Sequence, residues 1–201
     1  MFFSHTIKGQ PHNMPMLQKM IDLGCTLIDY EKIVNEKGQR LLFFGKQAGQ
    51  AGMVDTLWAL GQRLNHEKRQ NPFSSIKQAY QYASLVEAKE KIEKVGWQIH
   101  NKGLDISLVP LVFGFTGYGH VSQGAQEIFN LLPFEEIEPP KIVQFFREKN
   151  YSASRVYKTV FKEEHMVKAV NLAAKFELQD YYDHPEKYKP IFDSYLPYLT
   201  V

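Results

Sequence analysis

Cysteine is nearly absent: Cys25 stands alone among 201 residues. No intrachain disulfide framework is available, and the composition fits a reducing compartment such as the cytoplasm. Long apolar runs are missing as well. The longest, residues 108–115, is interrupted by Pro110 and Gly114 and falls far short of the ~20 residues that a membrane-spanning helix needs. No excess charge of one sign exists either. The formal net charge of +2 does not call for a polyanionic partner, and lysines alternate with glutamates as on a solvated surface. The N-terminus, Met1-Phe2-Phe3-Ser4-His5, lacks the basic-then-apolar order of a secretory signal and reads instead as the middle of a buried strand. Residues 195–201 also end on a strand-like run. Both ends lead us to expect a segment of a longer fold.

What is present suffices for a core, with 44% of residues apolar. Pro15 suits the first turn of a short helix that Gly24 ends, with Leu17 and Ile21 facing inward. Residues 26–30 and 40–44 read as strands around a turn at 35–38. Met53, Leu57, Leu60 and Leu64 form one helical stripe after the glycine-rich opening at 45–52. Residues 65–76 read as a loop. Ser84 and Glu87 have capping-box spacing ahead of Leu85, Ala88, Ile92 and Val95, with Gly96 or Gly103 as the exit. The run 108–115 suits a strand buried on both faces of a parallel sheet. The following helix places Val121, Ala125, Ile128, Phe129 and Leu132 on one face, and residues 134–138 form a second strand. The last quarter reads as helical with aromatic punctuation. The expected class is α/β.

The strongest chemical signal is the turn Thr116-Gly117-Tyr118-Gly119-His120-Val121-Ser122-Gln123-Gly124-Ala125. Gly117 permits a tight strand-to-helix turn, and Gly119 lets backbone approach a diphosphate. The third glycine of the usual dinucleotide fingerprint follows after three residues and lets helix and strand pack closely. Here Gly124 follows after five. A diphosphate would meet the free N–H groups and positive dipole end of the helix. An acid about 20 residues on receives the ribose hydroxyl, and Glu138 lies 19 beyond Gly119. An acid there favours NAD, and no arginine stands beside it for a 2′-phosphate. A ligand-free glycine turn is the plainer alternative.

His5 follows a strand start, and Glu31 ends the 26–30 strand. Side by side at one sheet edge they would serve proton transfer, and Arg40 would clamp a substrate carboxylate. Taken singly, each is more often an ordinary surface or hydrogen-bonding residue. His66, His100, His165 and His184 share no metal-ligand spacing, so no metal is expected. No nucleophile elbow, phosphate-binding lysine loop or basic–aromatic nucleic-acid surface appears.

Four separated motifs carry a family resemblance: Phe2-Phe3-Ser4-His5-Thr6-Ile7-Lys8-Gly9-Gln10, Leu27-Ile28-Asp29-Tyr30-Glu31, Phe44-Gly45-Lys46-Gln47-Ala48-Gly49-Gln50-Ala51-Gly52-Met53, and the run from Phe115 through the glycine turn to Phe129. Together they resemble the lysine–ketoglutarate reductase region of aminoadipic semialdehyde synthases and saccharopine dehydrogenases, with alanine dehydrogenases and transhydrogenases as distant relatives. The resemblance implies two Rossmann-like domains around a cleft: a partial substrate domain over 1–46, a hinge helix over 47–66, and a dinucleotide-binding domain over 67–201, incomplete at its C-terminal end. It implies an oxidoreductase that forms saccharopine from lysine and 2-oxoglutarate. His5 would be its acid/base, with Lys8 and Glu31 beside it and Arg40 on substrate. Gly49, Gly52, Thr116, Gly117, Gly119, Val121, Gly124 and Glu138 would border NADP or NAD. Animal and plant members use NADPH, so the choice of cofactor stays open. Also implied are a fused or separate glutamate-forming saccharopine dehydrogenase as partner, a mitochondrial location in an animal, and a further acid/base lysine ahead of His5 that lies outside these residues. The competing readings are an alanine-dehydrogenase-like enzyme and a catalytically incomplete nucleotide-binding fragment.

Overall fold

The computed structural model describes residues 1–171 and 173–201, which form two compact units dividing between Phe44 and Gly45. In the first, Met1–Phe44, helix α1 (Met14–Asp22) carries Pro15 in its first turn, and Gly24 turns the chain away at φ +65°. The expected inner face does not form: Ile21 is exposed, and α1 buries no residue. The expected strands shrink to isolated bridges, Phe2 with Asp29 and Val34 with Arg40. The physical reason is local. The Asp29 carboxylate accepts the Glu31 N–H and winds Tyr30–Lys32 into a 3-10 turn, which takes the Glu31 and Lys32 amides out of any ladder, while the Tyr30 N–H still donates to the Phe2 carbonyl.

The second unit, Gly45–Val201, opens with α2 (Gly45–His66), whose stripe Met53, Leu57, Leu60 and Leu64 is buried as the 3.6-residue period requires. The segment read as a loop contains a 3-10 turn, Pro72–Ser75, started by the Asn71 side chain accepting the Ser74 N–H. Helix α3 (Leu85–Lys102) starts as its cap predicts. The Ser84 hydroxyl accepts the Glu87 N–H at 3.2 Å, while Glu87 reaches back one residue further than the simple pattern, to the Ala83 N–H. Gly103, at φ +77°, is its exit. Gly96 lies inside the helix, where the carbonyl of Leu131 approaches its backbone.

The sheet departs from expectation in two places. Strand β1 is Val112–Thr116 rather than the whole apolar run. Asp105 caps a 3-10 turn over Ile106–Leu108, and Pro110 has no N–H to give to a ladder. After α4 (His120–Phe129), β2 is only Phe134–Glu136, followed by α5 (Ile142–Glu148). The last quarter, read as helical, supplies the central strand, β3 (Val156–Phe161). Both β1 and β2 pair with β3 in parallel, giving the order β1–β3–β2. A short helix α6 (Glu163–Met166), the antiparallel pair β4 (Val167–Ala169) and β5 (Tyr188–Pro190), and α7 (Leu178–Asp183) between them complete it. Residues 199–201 run along the free edge of β1: Gly114 N–H donates to the Val201 carbonyl at 2.9 Å, and Val201 N–H to that of Val112.

Side chains alternate across the sheet. Phe113, Phe115 and Val156 join the large core built with α2, α3 and α4, whereas Val112 and Tyr157 join a smaller core under α5. A parallel three-stranded sheet covered on both faces is an α/β layer arrangement.

Candidate functional site

The end of β1 opens into the glycine turn. Gly117 sits at φ +81°, a backbone state that disfavours any side chain. Its N–H donates to the Phe161 carbonyl at 2.8 Å, tying the turn to the end of β3. Gly119 is the N-cap of α4 in extended conformation, and the first intrahelical bond is Gln123 N–H to Gly119 O. The amides of Val121 and Ser122 come before it, at the positive end of the helix dipole.

A cavity of about 350 Å³ adjoins this turn, lined in part by Gly52, Met53, Thr56, Thr116, Val121 and Ser122. Val121, expected on the inner face of α4, is exposed because it faces this space. The surroundings fit a diphosphate: a Cβ added at Gly52, Gly117 or Gly119 would meet nothing within 4 Å. These are open cradles.

Gly49 and Gly124 do something else. A Cβ on Gly49 would lie 1.9 Å from the Val121 carbonyl oxygen, and one on Gly124 2.0 Å from that of Lys46. The two glycines thus let α2 and α4 cross backbone to backbone. Gly124 packs helix on helix, not helix on strand, and the five-residue gap in the fingerprint follows from that. The crossing is locked by Glu127, which the sequence reading missed. Its carboxylate pairs with Lys46 at 2.7 Å and Lys89 at 2.6 Å and accepts from Gln50 Nε2 at 3.0 Å. The hydrogen bonds from Lys46 and then Lys89 hold its carboxyl down at about 2.

Glu138 lies past the end of β2, exposed and paired with Lys141 at 2.8 Å, which lowers its pKa. Strand β3 stands between β1 and β2, so Glu138 is two strands away from the strand that carries the glycine turn.

In the first unit two expected residues meet at the ring of Phe3, and Glu31 joins them through Arg40. His5 stacks on it with centroids 6.3 Å apart, and the Arg40 guanidinium lies 5.5 Å from its centre. Tyr30 packs edge-on at 5.2 Å, and Glu31 pairs with Arg40 at 3.5 Å. Lys8 is exposed on the turn closed by Gly9 N–H to Thr6 O. The expected His5–Glu31 pairing is replaced: Glu31 turns to Arg40, and the carboxylate that feels the His5 charge is Asp29. Asp29, buried and also unanticipated, accepts from the Ser4 hydroxyl and the Glu31 N–H; the Ser4 bond chiefly lowers its pKa. Between Ser4 and Thr6, whose hydroxyls bond each other at 2.7 Å, His5 adopts φ +53°. Its carbonyl is held by Asn13 Nδ2. The signal that could have found Asp29 is a short acid beside a turn two residues on, the Asx pattern.

No family model matches the sequence. Curated proteins do. The chain is 44% identical over 210 aligned residues to "Alpha-aminoadipic semialdehyde synthase" of Arabidopsis thaliana, covering 100% of the chain and 20% of that protein. It is 37% identical over 201 residues to "Alpha-aminoadipic semialdehyde synthase, mitochondrial" of Mus musculus, and 37% to that of Bos taurus, with 99% of the chain and 21% of each relative covered. The chain spans about a fifth of the length of the curated relatives it matches. Among the described residues no helix is long and apolar enough to cross a membrane. The chain is homologous, over essentially its whole length, to one segment of the alpha-aminoadipic semialdehyde synthases.

Proposed function

We propose that this chain is the part of a lysine-degrading oxidoreductase that condenses lysine with 2-oxoglutarate and reduces the product to saccharopine. The observation that carries the reading is the meeting of His5 and Arg40 at Phe3, with Glu31 paired to Arg40, residues apart in sequence whose chemistry suits this reaction. Condensation of an amine with a ketone needs one group to hold and pass protons while water leaves, and His5 is placed for that. Arg40 offers a fork for a substrate carboxylate, with Glu31 paired to one of its nitrogens. Lys8, on the adjoining turn, adds a second cation for a doubly acidic substrate.

The second unit is, on this reading, a Rossmann-like dinucleotide-binding domain. A nicotinamide nucleotide, NADP or NAD, supplies the hydride when bound. Its diphosphate is received by the open glycines Gly117 and Gly119 and the head of α4, and Thr116, Val121 and Gly52 border the adjoining cavity. Gly49 and Gly124 support the site by fixing the α2–α4 crossing. The greater length of the relatives supports a second, glutamate-forming saccharopine dehydrogenase activity as fused neighbour or partner. Mitochondrial residence is supported by the names of the mammalian relatives.

The test is oxidation of NADPH or NADH that depends on both lysine and 2-oxoglutarate. His5→Ala is expected to lower the turnover roughly a hundred- to ten-thousand-fold while nucleotide binding persists. Turnover that is indifferent to the loss of His5 sinks the assignment.

A further inference from the structure

We propose that Asp29, acting through the hydroxyls of Ser4 and Thr6, is a positioning residue that sets where the His5 imidazole stands for proton transfer. The inference deepens the reading of His5 as the acid/base and rests on it. Ser4 and Asp29 are the buried residues of the first unit, at 2% and 8% exposure, although polar groups are costly to bury unless bonded. Two backbone bonds bring their segments together: Phe2 N–H donates to the Ile28 carbonyl, and Tyr30 N–H to that of Phe2. Asp29 thereby stands opposite Phe2, and its carboxylate reaches Ser4, the neighbour of His5.

The chemistry of these groups fixes where each proton goes. An ionised carboxylate only accepts, so the single Ser4 O–H is given to Asp29. In the Ser4–Thr6 contact at 2.7 Å, Thr6 is therefore the donor. Bonds in such a chain polarise and strengthen one another. The Ser4 hydroxyl is also the first cause of the lowered Asp29 pKa, which keeps the charged end of the chain charged. The chain joins the two neighbours of His5, and the histidine between them is held at φ +53°. A left-handed backbone is unfavourable for a residue with a Cβ and persists where the surroundings over-determine it. Here the Thr6–Ser4–Asp29 chain holds the flanking side chains, and Asn13 Nδ2, 3.1 Å from the His5 carbonyl oxygen, holds the backbone. The imidazole then stacks on Phe3, the ring that Arg40 also meets. Glu31 is engaged with Arg40, and the charge that His5 feels is that of Asp29.

The experiment measures turnover dependent on lysine and 2-oxoglutarate in the full 201-residue chain and in its Asp29→Asn and Thr6→Val variants, alone and combined with His5→Ala. Thr6→Val keeps the branched shape, loses only the O–H and spares the buried carboxylate, so it decides alone should Asp29→Asn fail to fold. Each single change is expected to lower kcat roughly ten- to a hundredfold, as when a catalytic group is misplaced by about 1 Å. KM for both substrates should stay within about twofold. Thr6→Ser, which keeps the hydroxyl, should recover most of the loss. In the His5→Ala background neither change should cost anything further, because groups that act through one residue are not additive. Losses that multiply in that background, or full turnover in Thr6→Val, overturn the role of Asp29 and leave His5 as the acid/base. Indifference to His5→Ala, or no turnover at all, defeats the function reading instead, and NMR then decides the hydroxyl chain. The unaltered chain should show at His5 the strong intraresidue HN–Hα contact of a positive φ, and Thr6→Val should weaken it. A contact that Thr6→Val leaves unchanged refutes the positioning.

Discussion

The two units are held together by opposite means. In Met1–Phe44 the buried residues are Ser4 and Asp29, both polar and bonded to each other. In Gly45–Val201 the core is an apolar cluster running from Met53 and Leu57 through Ile92, Ile99 and Phe113 to Ile128 and Phe129. The first unit is organised by hydrogen bonds around a strained histidine; the second by close packing around a strand with two covered faces. Packing tolerates little change of volume but is indifferent to pH, whereas a carboxylate-centred network is the reverse. On the proposed function, the groups that move protons or recognise carboxylates are held by the polar unit, and the glycine turn is held by the packed one.

The largest effect that would break this contrast is expected at the α2–α4 crossing. Gly124→Ala places a Cβ 2.0 Å from the Lys46 carbonyl oxygen, backbone against backbone, so the helices must separate. A cost of about 3 kcal/mol is expected from such overpacking, well above the ~1 kcal/mol that Ala adds in helix propensity. Gly52→Ala, in the same helix, has open space and should raise stability slightly while weakening nucleotide binding. Chemical denaturation of the two variants side by side settles it: equal stabilities would mean that Gly124 is no packing residue.

Next comes Asp29. Asp29→Asn keeps the shape but removes a charge that accepts from Ser4 and from the Glu31 amide. We expect a loss of about 1–2 kcal/mol confined to the first unit, visible as faster hydrogen exchange at Glu31 with the second unit unaffected. The Asp29 carboxyl is depressed below its ordinary value of 3.8. Its contribution is therefore complete above that pH and is lost as pH falls below it, and the Asn variant should lack this dependence. Slowed or unchanged exchange at Glu31 would count against a polar first unit.

A smaller effect is expected where the packed unit does use charge. Glu127 is brought from an ordinary 4.5 to about 2 by Lys46 and Lys89. Because the folded value is the lower one, its stabilisation is present above about 4.5 and fades as pH falls towards 2. The pairs are partly exposed, which limits the contribution to roughly 1 kcal/mol. Glu127→Gln should flatten the acid limb of a melting-temperature profile by that much. An unchanged profile would make the clamp ornamental.

How much of this could be read from the chain alone follows from how far each signal reaches. The cap at Ser84, the Met53–Leu64 stripe and the turn at Gly117 are local: a hydroxyl, a helical period and a positive φ announce themselves within a few residues. The position of β3 is not local. Val156-Tyr157-Lys158-Thr159-Val160-Phe161 has β-branched and aromatic character, but nothing in it says that it slips between β1 and β2. That one non-local fact puts Glu138 two strands away from the glycine turn. Asp29 was hidden for a related reason. A short acid in a strand-like run looks solvated until its burial against Ser4 is seen.

The smallest expected effect concerns His5 itself, and it separates stability from chemistry. A non-glycine residue at φ +53° carries a backbone cost of about 1–2 kcal/mol, while glycine at that position is free of it but gains disorder in the unfolded chain worth roughly 0.5–1 kcal/mol. His5→Gly should therefore change stability by less than about 1 kcal/mol, and His5→Ala should be the less stable of the two by a similar margin. Both lack the imidazole and both should lose turnover. If His5→Ala proved the more stable, the left-handed backbone at His5 would not be what Ser4, Thr6 and Asn13 hold in place. A stability gain on His5→Gly joined to lost turnover would show strain kept for the sake of where the imidazole stands.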